Sequence, residues 1–406
     1  VRAIYWIRND LRFQDNLALI QFCKEADEGL VVWCGSRSLD RAGPKRRAFI
    51  YATLKEFSQR AEANGVPVMI SEKYAPDILP ELVATHRVDT LFVSAEVAPE
   101  EREDERRIEK ESTAQLIRVV QSNLIHPNDL PFSVEETPEI FTQFRIKVEK
   151  NLQISEPVSV PTRFPAALVP INLTTLTQQK WSDQFHSKIL PGESAGLQRV
   201  QEYIWTQDRL QSYKETRNGM LDWDDSSKFS PWLSVGALSP RTLYFEIRRY
   251  ERERVNNQST YWLVFELLWR DYFRLMMEKK QARVFGLKPL LTLEQSRDLE
   301  AWCQANTGDD FIDANLTELN QTGWMSNRGR QNVASFLAKK INVPWHYGAD
   351  YFEQQLIDYD VSNNWCNWAY LAGVGQDPRN RKFDSERQAR IYDPEELYRK
   401  KWLMKL

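Results

Sequence analysis

Apolar and polar positions change period twice along the chain. Between residue 1 and about residue 125, short apolar runs alternate with amphipathic stretches. Ala3–Ile7, Leu30–Cys34, Val66–Ile70, Thr90–Val93 and Leu116–Val120 read as strands buried on both faces. Helical patterns lie between them near 16–27, 44–63, 76–85 and 99–111. Asp15 is a candidate N-cap, and Pro44, Pro76 and Pro99 stand near helix starts. Strands alternating with helices predict βαβ units and a doubly wound parallel α/β sheet. From about 126 to 195 eight prolines, from Pro127 to Pro191, interrupt every period. This stretch predicts a long surface connector with one short helix near 138–150. Beyond 196 the period is helical, at 196–212, 239–254, 258–280, 296–306, 310–321, 328–341, 348–358 and 364–372. The predicted organisation is an α/β domain over 1–125, a linker over 126–195 and an all-helical domain over 196–406.

Composition narrows the function classes. With 406 residues, 42% hydrophobic and 27% charged, the chain reads as globular. No apolar run approaches the ~20 residues of a membrane helix, and Val1–Arg8 meets charge too early for a signal peptide. Cys23, Cys34, Cys303 and Cys366 are scattered without C-x-x-C spacing, which disfavours a disulfide scaffold and fits a reducing compartment. His86, His126, His186 and His346 include no i, i+4 pair, so no metal site is expected. A net charge of −3 gives no global basic field, and any nucleic-acid site must be a local patch. Tryptophan is abundant at 14 residues, seven of them between Trp262 and Trp368, which raises stacking or redox work as a hypothesis beside ordinary core packing. The run 100–111 predicts a solvated charged helix face.

Four segments could carry chemistry. Asp225–Ser234 clusters hydroxyls, Lys228 and turn amides beside a helix start, which suits a phosphate; a plain capped loop is the alternative. Trp262, Glu266, Trp269 and Arg270 share one helical face, where Glu266 and Trp269 could bond and stack a base; an aromatic core stripe with an ion pair is the alternative. Gly323–Arg330 precedes a helix. Leu356–Trp368 brings Asp358, Asp360 and Asn364 together with several amides, and an arginine–carboxylate pair there would suit a polar heterocycle such as a flavin. Metal binding or glycoside hydrolysis by the paired aspartates is less attractive beside the tryptophans.

These blocks, in this order, resemble the photolyase/cryptochrome family over essentially the whole chain. Trp6–Asn16 is similar to the family's opening strand and loop. Ser226–Leu233, Met325–Val333, Asp129–Phe132 and Ala372–Arg379 resemble the DASH cryptochromes in particular. The resemblance implies FAD bound in the helical domain. Tyr213, Ser226, Ser227, Lys228, Phe229 and Ser230 would hold its phosphate side, and Glu266 and Arg270 would stand at the cavity. Asn327 and Arg330 would hold the flavin, Asp358 would pair with Arg330, and Asp360 would face the isoalloxazine edge. Asn364 would sit beside flavin N5, where it can hydrogen-bond without gaining charge.

The implied activity is light-driven repair of cyclobutane pyrimidine dimers, preferring single-stranded DNA, by electron transfer from photoexcited reduced FAD. Glu266 and Trp269 would meet the lesion, with Tyr370, Arg328 and Arg379 as further DNA contacts. Arg381, Lys382, Arg387 and Arg390 add basic charge beside Arg379. Trp368 and Trp345 match the family's flavin-proximal and middle electron donors, while the third position falls near Thr292. The histidine pair of the (6–4) photolyases is replaced by Ser326-Asn327, which argues against that activity, and Tyr370 stands where duplex photolyases carry tryptophan. Glu101 lies where a contact to an antenna, 5,10-methenyltetrahydrofolate, is expected; a solvated carboxylate is the alternative. The competing class is a blue-light receptor signalling through a protein or nucleic-acid partner. Signalling members often carry a long C-terminal extension, and a chain running only to Leu406 favours the enzyme. A monomer, cytoplasmic or else organellar or nuclear and not secreted, is expected.

Overall fold

A computed structural model of the chain describes residues 1–168, 188–375 and 382–404. Five parallel strands form the first half: β1 (Arg2–Ile7), β2 (Glu28–Gly35), β3 (Val68–Tyr74), β4 (Thr90–Ser94) and β5 (Gln115–Val119). Their order is β3-β2-β1-β4-β5, and a two-residue strand β6 (Ala166–Ala167) pairs with the start of β2. Each strand is reached by a helical crossover, as parallel pairing requires. Alternate residues of β1 serve two cores. Ala3, Tyr5 and Ile7 face a large core shared with the helical half, while Ile4 and Trp6 pack with Leu79, Val83 and Ile108 on the other face. The expected α/β architecture is therefore present, with both sheet faces covered.

Strand order reverses between β1 and β4, whose carboxyl ends open a crevice suited to ligands or a docking partner. The helical half docks into it. Arg12, after β1, donates to the Gly236 carbonyl (3.0 Å), and Asp15 pairs with Arg241 (2.6 Å). Gly236 has φ +69° and a Cβ there would lie 1.9 Å from the Asn9 carbonyl oxygen, so only glycine permits this approach.

Several boundaries differ from the sequence reading for local reasons. The third strand starts at Val68, after Pro67, which offers no N–H, and runs on to Tyr74. The single helix expected over 196–212 is an α-helix Glu193–Val200, a π-turn Gln201–Thr206 and a 3₁₀ turn Arg209–Ser212 entered through Asp208 at φ 57°. Asn16, not Asp15, caps the first helix; its side chain accepts from the Leu19 amide at 2.9 Å. The stretch expected at 348–358 begins directly after Pro344, as Trp345–Gln355. Helices Ser385–Tyr392 and Leu397–Leu403 were not expected from the pattern. The run 100–111 is helical but only partly solvated. Glu105 is buried between Arg8 (2.5 Å) and Arg118 (2.7 Å). The expected linker helix appears as Phe141–Glu149, and 169–187 of the linker lie outside the described residues.

Candidate functional site

One long helix, Gln258–Lys280, organises the second half. Asn257 and Thr260 form its capping box, and Lys279 and Lys280 close its last turn. Leu263, Val264, Leu267 and Leu268 are buried, leaving a half-buried stripe at 261, 262, 265, 266, 269 and 270. That 3–4 spacing is what puts Glu266 and Arg270 on one wall of a cavity of about 300 Å³. The loop 226–230, the start of helix Asn327–Ser335 and the helix Val361–Ala372 supply the other walls. All thirteen residues expected to bind the cofactor meet here: Tyr213, Ser226, Ser227, Lys228, Phe229, Ser230, Glu266, Arg270, Asn327, Arg330, Asp358, Asp360 and Asn364.

Three polar clusters divide the cavity. In the first, Asp358 is buried to 1% side-chain exposure and accepts from Arg330 Nη2 (2.8 Å) and Ser230 Oγ (2.6 Å). Its Oδ1 has no partner, nor does Gln331 Oε1. In the second, Lys228 sits at φ 61°, donates to Ser226 Oγ (3.0 Å) and lies 4.1 Å from the Trp324 ring centroid. Burial pulls its ammonium down to about 8. In the third, Asp360 caps the helix Val361–Ala372 through the Asn363 amide (2.8 Å), while Asn364 donates to the Ala349 carbonyl (3.0 Å). That bond uses one of the two N–H groups, so Asn364 keeps one donor and its acceptor oxygen. At the wall nearest helix Gln258–Lys280, Glu266 forms an ion pair with Arg217. Leu243, Leu263, Leu267 and Phe352 provide the apolar lining.

Of the remaining expected residues that the structure describes, Trp368 lines the cavity and the others lie outside its wall. Trp269 stacks on Phe141 of the linker helix, with ring centroids 3.6 Å apart and planes at 12°, and meets Tyr370 edge-on at 5.9 Å. Trp345 touches Trp365 (5.7 Å) and stacks on His346 (4.1 Å). It stands one turn from Gly348, where a Cβ would fall 2.2 Å from the Trp368 ring; the glycine lets the two helices close. Trp368 itself meets Trp302 at 6.3 Å. Thr292, near which the third donor position was expected, is the N-cap of helix Leu293–Cys303. Arg328 donates to Asn218 (3.1 Å) and covers the Tyr392 ring at 4.7 Å. Arg379 and Arg381 lie outside the described residues. Sequence reasoning missed Arg217, while Trp324 and Gln331 fell inside the singled-out blocks Gly323–Arg330 and Met325–Val333 without being named as site residues. Asn363 and Asn367, which also line the cavity, were signalled only by the amide-rich run around Asn364.

Comparison with known proteins decides the family. Residues 3–166 match the model for DNA photolyase, and residues 262–406 that for the FAD binding domain of DNA photolyase. A cryptochrome DASH of Synechocystis sp. is 40% identical, covering 100% of this chain and 88% of that protein. The chain belongs to the photolyase/cryptochrome family, in its cryptochrome DASH group. Chloroplastic/mitochondrial cryptochrome DASH of Arabidopsis thaliana is likewise 40% identical, over 100% of this chain and 76% of the relative. The crystal structure of the Synechocystis cryptochrome superposes with a TM-score of 0.92 at 38% identity, covering 99% of this chain and 88% of that one. A bacterial class III photolyase from Agrobacterium tumefaciens shares the fold at a TM-score of 0.85 and 23% identity, covering 99% and 86%. This DASH member thus carries a FAD-binding domain, and no helix among its described residues is long and apolar enough to cross a membrane.

Proposed function

We propose that the protein repairs cyclobutane pyrimidine dimers in single-stranded DNA under light, with FAD in the cavity of the helical domain. The observation that carries this reading is the union, in one cavity, of a buried Arg330–Asp358–Ser230 clamp with an acidic group, Glu266, poised on Arg217. The residues fit FAD chemically. Asp358 Oδ1 and Gln331 Oε1 are buried acceptors awaiting donors, as a flavin edge or ribose would supply. Ser226, Ser227 and Lys228 suit a pyrophosphate, while the Ser230 hydroxyl expected there is given to Asp358, and Tyr213 and Phe229 close the apolar side of that wall.

FAD, when bound and reduced, supplies the electron that light drives into the dimer. The chain's residues do the rest. Asp358 and Arg330 hold the heterocycle, assisted by Asn327, Asp360 and Arg270. Asn364 would offer a neutral amide that can donate or accept without gaining charge. Glu266, held by Arg217, orients and bonds the flipped-out bases, and Trp269, made rigid by Phe141, is their stacking platform with Tyr370 beside it. Trp368 and Trp345 carry electrons inward when the flavin is oxidised. Arg328 would receive phosphates, and Arg379, outside the described residues, is a further candidate from the sequence.

Residues 1–125 act as the domain for an antenna, a methenyl folate for which Glu101 is the contact, with 126–195 as linker to a domain 196–406. Glu101 lines an inter-domain cavity of about 110 Å³ together with Trp6 and Trp33. A cytoplasmic or organellar site of action fits four free cysteines and the chloroplastic/mitochondrial relatives. The test is illumination of the reduced holoprotein with a dimer-bearing single strand. Recovery of pyrimidine absorbance is expected, and a dimer left intact by a fully flavinated protein overturns the reading.

A further inference from the structure

One buried guanidinium bridges the crevice at the sheet's switch point. Arg274, on helix Gln258–Lys280, has a side chain only 4% exposed. Its Nε donates to Asn123 Oδ1 at 2.9 Å and its Nη2 to Glu96 Oε2 at 3.3 Å. Its Nη1 lies 4.0 Å from Asp360 Oδ2. Glu96 follows β4 and Asn123 follows β5, while Asn9, after β1, donates to the other Glu96 oxygen at 3.3 Å. Three strand-end loops of the α/β domain thus converge on a charge whose far side faces a wall of the FAD cavity.

Asp360 is the pivot of that wall. It lines the cavity and caps the helix that carries Asn364 and Trp368. Glu96 and Asp360 therefore share one arginine, across the domain boundary, in a region from which water is largely removed. Charges so placed interact several-fold more strongly than at the surface. Glu101 responds to the same cluster: burial and the neighbouring Glu96 push its carboxyl up to about 7. Arg270, next along the helix face, donates to the Ser122 carbonyl at 2.5 Å, so its guanidinium is partly engaged by the α/β domain as well.

We propose that Glu96 and Arg274 are positioning residues through which the α/β domain sets the placement of Asp360 and the net charge of the cluster around it, and so the reduction potential of the bound flavin. The inference rests on FAD occupying the cavity. Its sign follows from electrostatics. Removing the Glu96 charge makes the cluster more positive and stabilises a reduced, anionic flavin. Removing the Arg274 charge does the opposite and frees Asp360.

The test is a spectroelectrochemical titration of the flavin in the holoprotein. Glu96→Gln should raise the midpoint potential, Arg274→Gln should lower it and speed FAD release, and the double variant should return towards wild type. Arg274→Lys keeps the charge and should stay near wild type in potential. Unchanged potentials in both single variants at full FAD occupancy would overturn the proposal. So would shifts of one common sign, which a general loosening of the fold would give. Should Arg274→Gln not fold, Glu96→Gln against Glu96→Asp decides, since only the former should raise the potential. Dimer repair by the wild type is scored separately: a flavinated wild type that leaves dimers intact refutes the photolyase reading, while the potentials still decide this one.

Discussion

Truncating Asp358 to alanine should cost the protein its FAD. The carboxylate is 1% exposed and accepts from Arg330 Nη2 and Ser230 Oγ at 2.8 and 2.6 Å, with Oδ1 left for the cofactor. Removing one member of a buried ion pair costs on the order of 3–5 kcal/mol, because the other charge is left without a partner. Arg330 retains 25% side-chain exposure, so water recovers part of that penalty and about 3 kcal/mol is the appropriate figure. That penalty falls on apoprotein and holoprotein alike; what FAD itself loses is the charge-assisted hydrogen bond to Oδ1, worth about 1.5–3 kcal/mol, which at about 1.4 kcal/mol per decade weakens binding roughly 10- to 100-fold. Asp358→Asn keeps the shape and one acceptor, loses the charge, and should fall between alanine and wild type. Calorimetric titration of FAD into the apoproteins measures both. An Asp358→Ala dissociation constant within twofold of wild type would refute the clamp, as would a loss of binding fully explained by a fall in the apoprotein's own melting temperature.

Burial holds the Lys228 ammonium near 8 before the cofactor arrives, and phosphate oxygens raise it again, so above pH 8 each FAD bound takes up a proton. Affinity should be flat below that pH and fall by up to tenfold per unit above it; Lys228→Arg should extend the plateau, and a pH-independent affinity to pH 9.5 would exclude a phosphate contact. Trp368→Phe should abolish photoreduction while leaving FAD occupancy intact, and Trp345→Phe should slow it strongly; transient absorption of the indole radical reads both. Trp269→Ala should lose about 1–3 kcal/mol of single-strand binding and Glu266→Ala should lower repair more than binding. Fluorescence anisotropy against salt gives the first, with a slope of about −0.7 per phosphate neutralised, and repair yield per photon the second.

Much of the fold was legible because parallel strands bury both faces. Leu30–Cys34 read as a strand of that kind and lies within β2, whereas its register against β1 was not legible from the pattern. The cavity was legible for another reason: its polar residues come in contiguous blocks, 226–230, 327–330 and 358–368, each set by one loop and the helix that follows. Residues that reach the site from elsewhere were not. Arg217 finds Glu266 across 49 positions and stands in no motif, and Phe141 reaches Trp269 from the linker. The π-turns Gln201–Thr206 and Phe336–Lys340 keep an apolar spacing close to an α-helix, so both read as uninterrupted helix. Glu105 looked solvated because its partners, Arg8 and Arg118, arrive from β1 and β5.

The most direct test of the central claim is a single-turnover comparison of two substrates. The reduced holoprotein is given the same dimer in a single strand and in a matched duplex, exposed to counted photons, and the restored pyrimidines are quantified per FAD against a dark control. Repair in the light only, with the single strand consumed well ahead of the duplex at equal concentration, is the predicted result. Fully flavinated, reduced protein that restores neither substrate would contradict it.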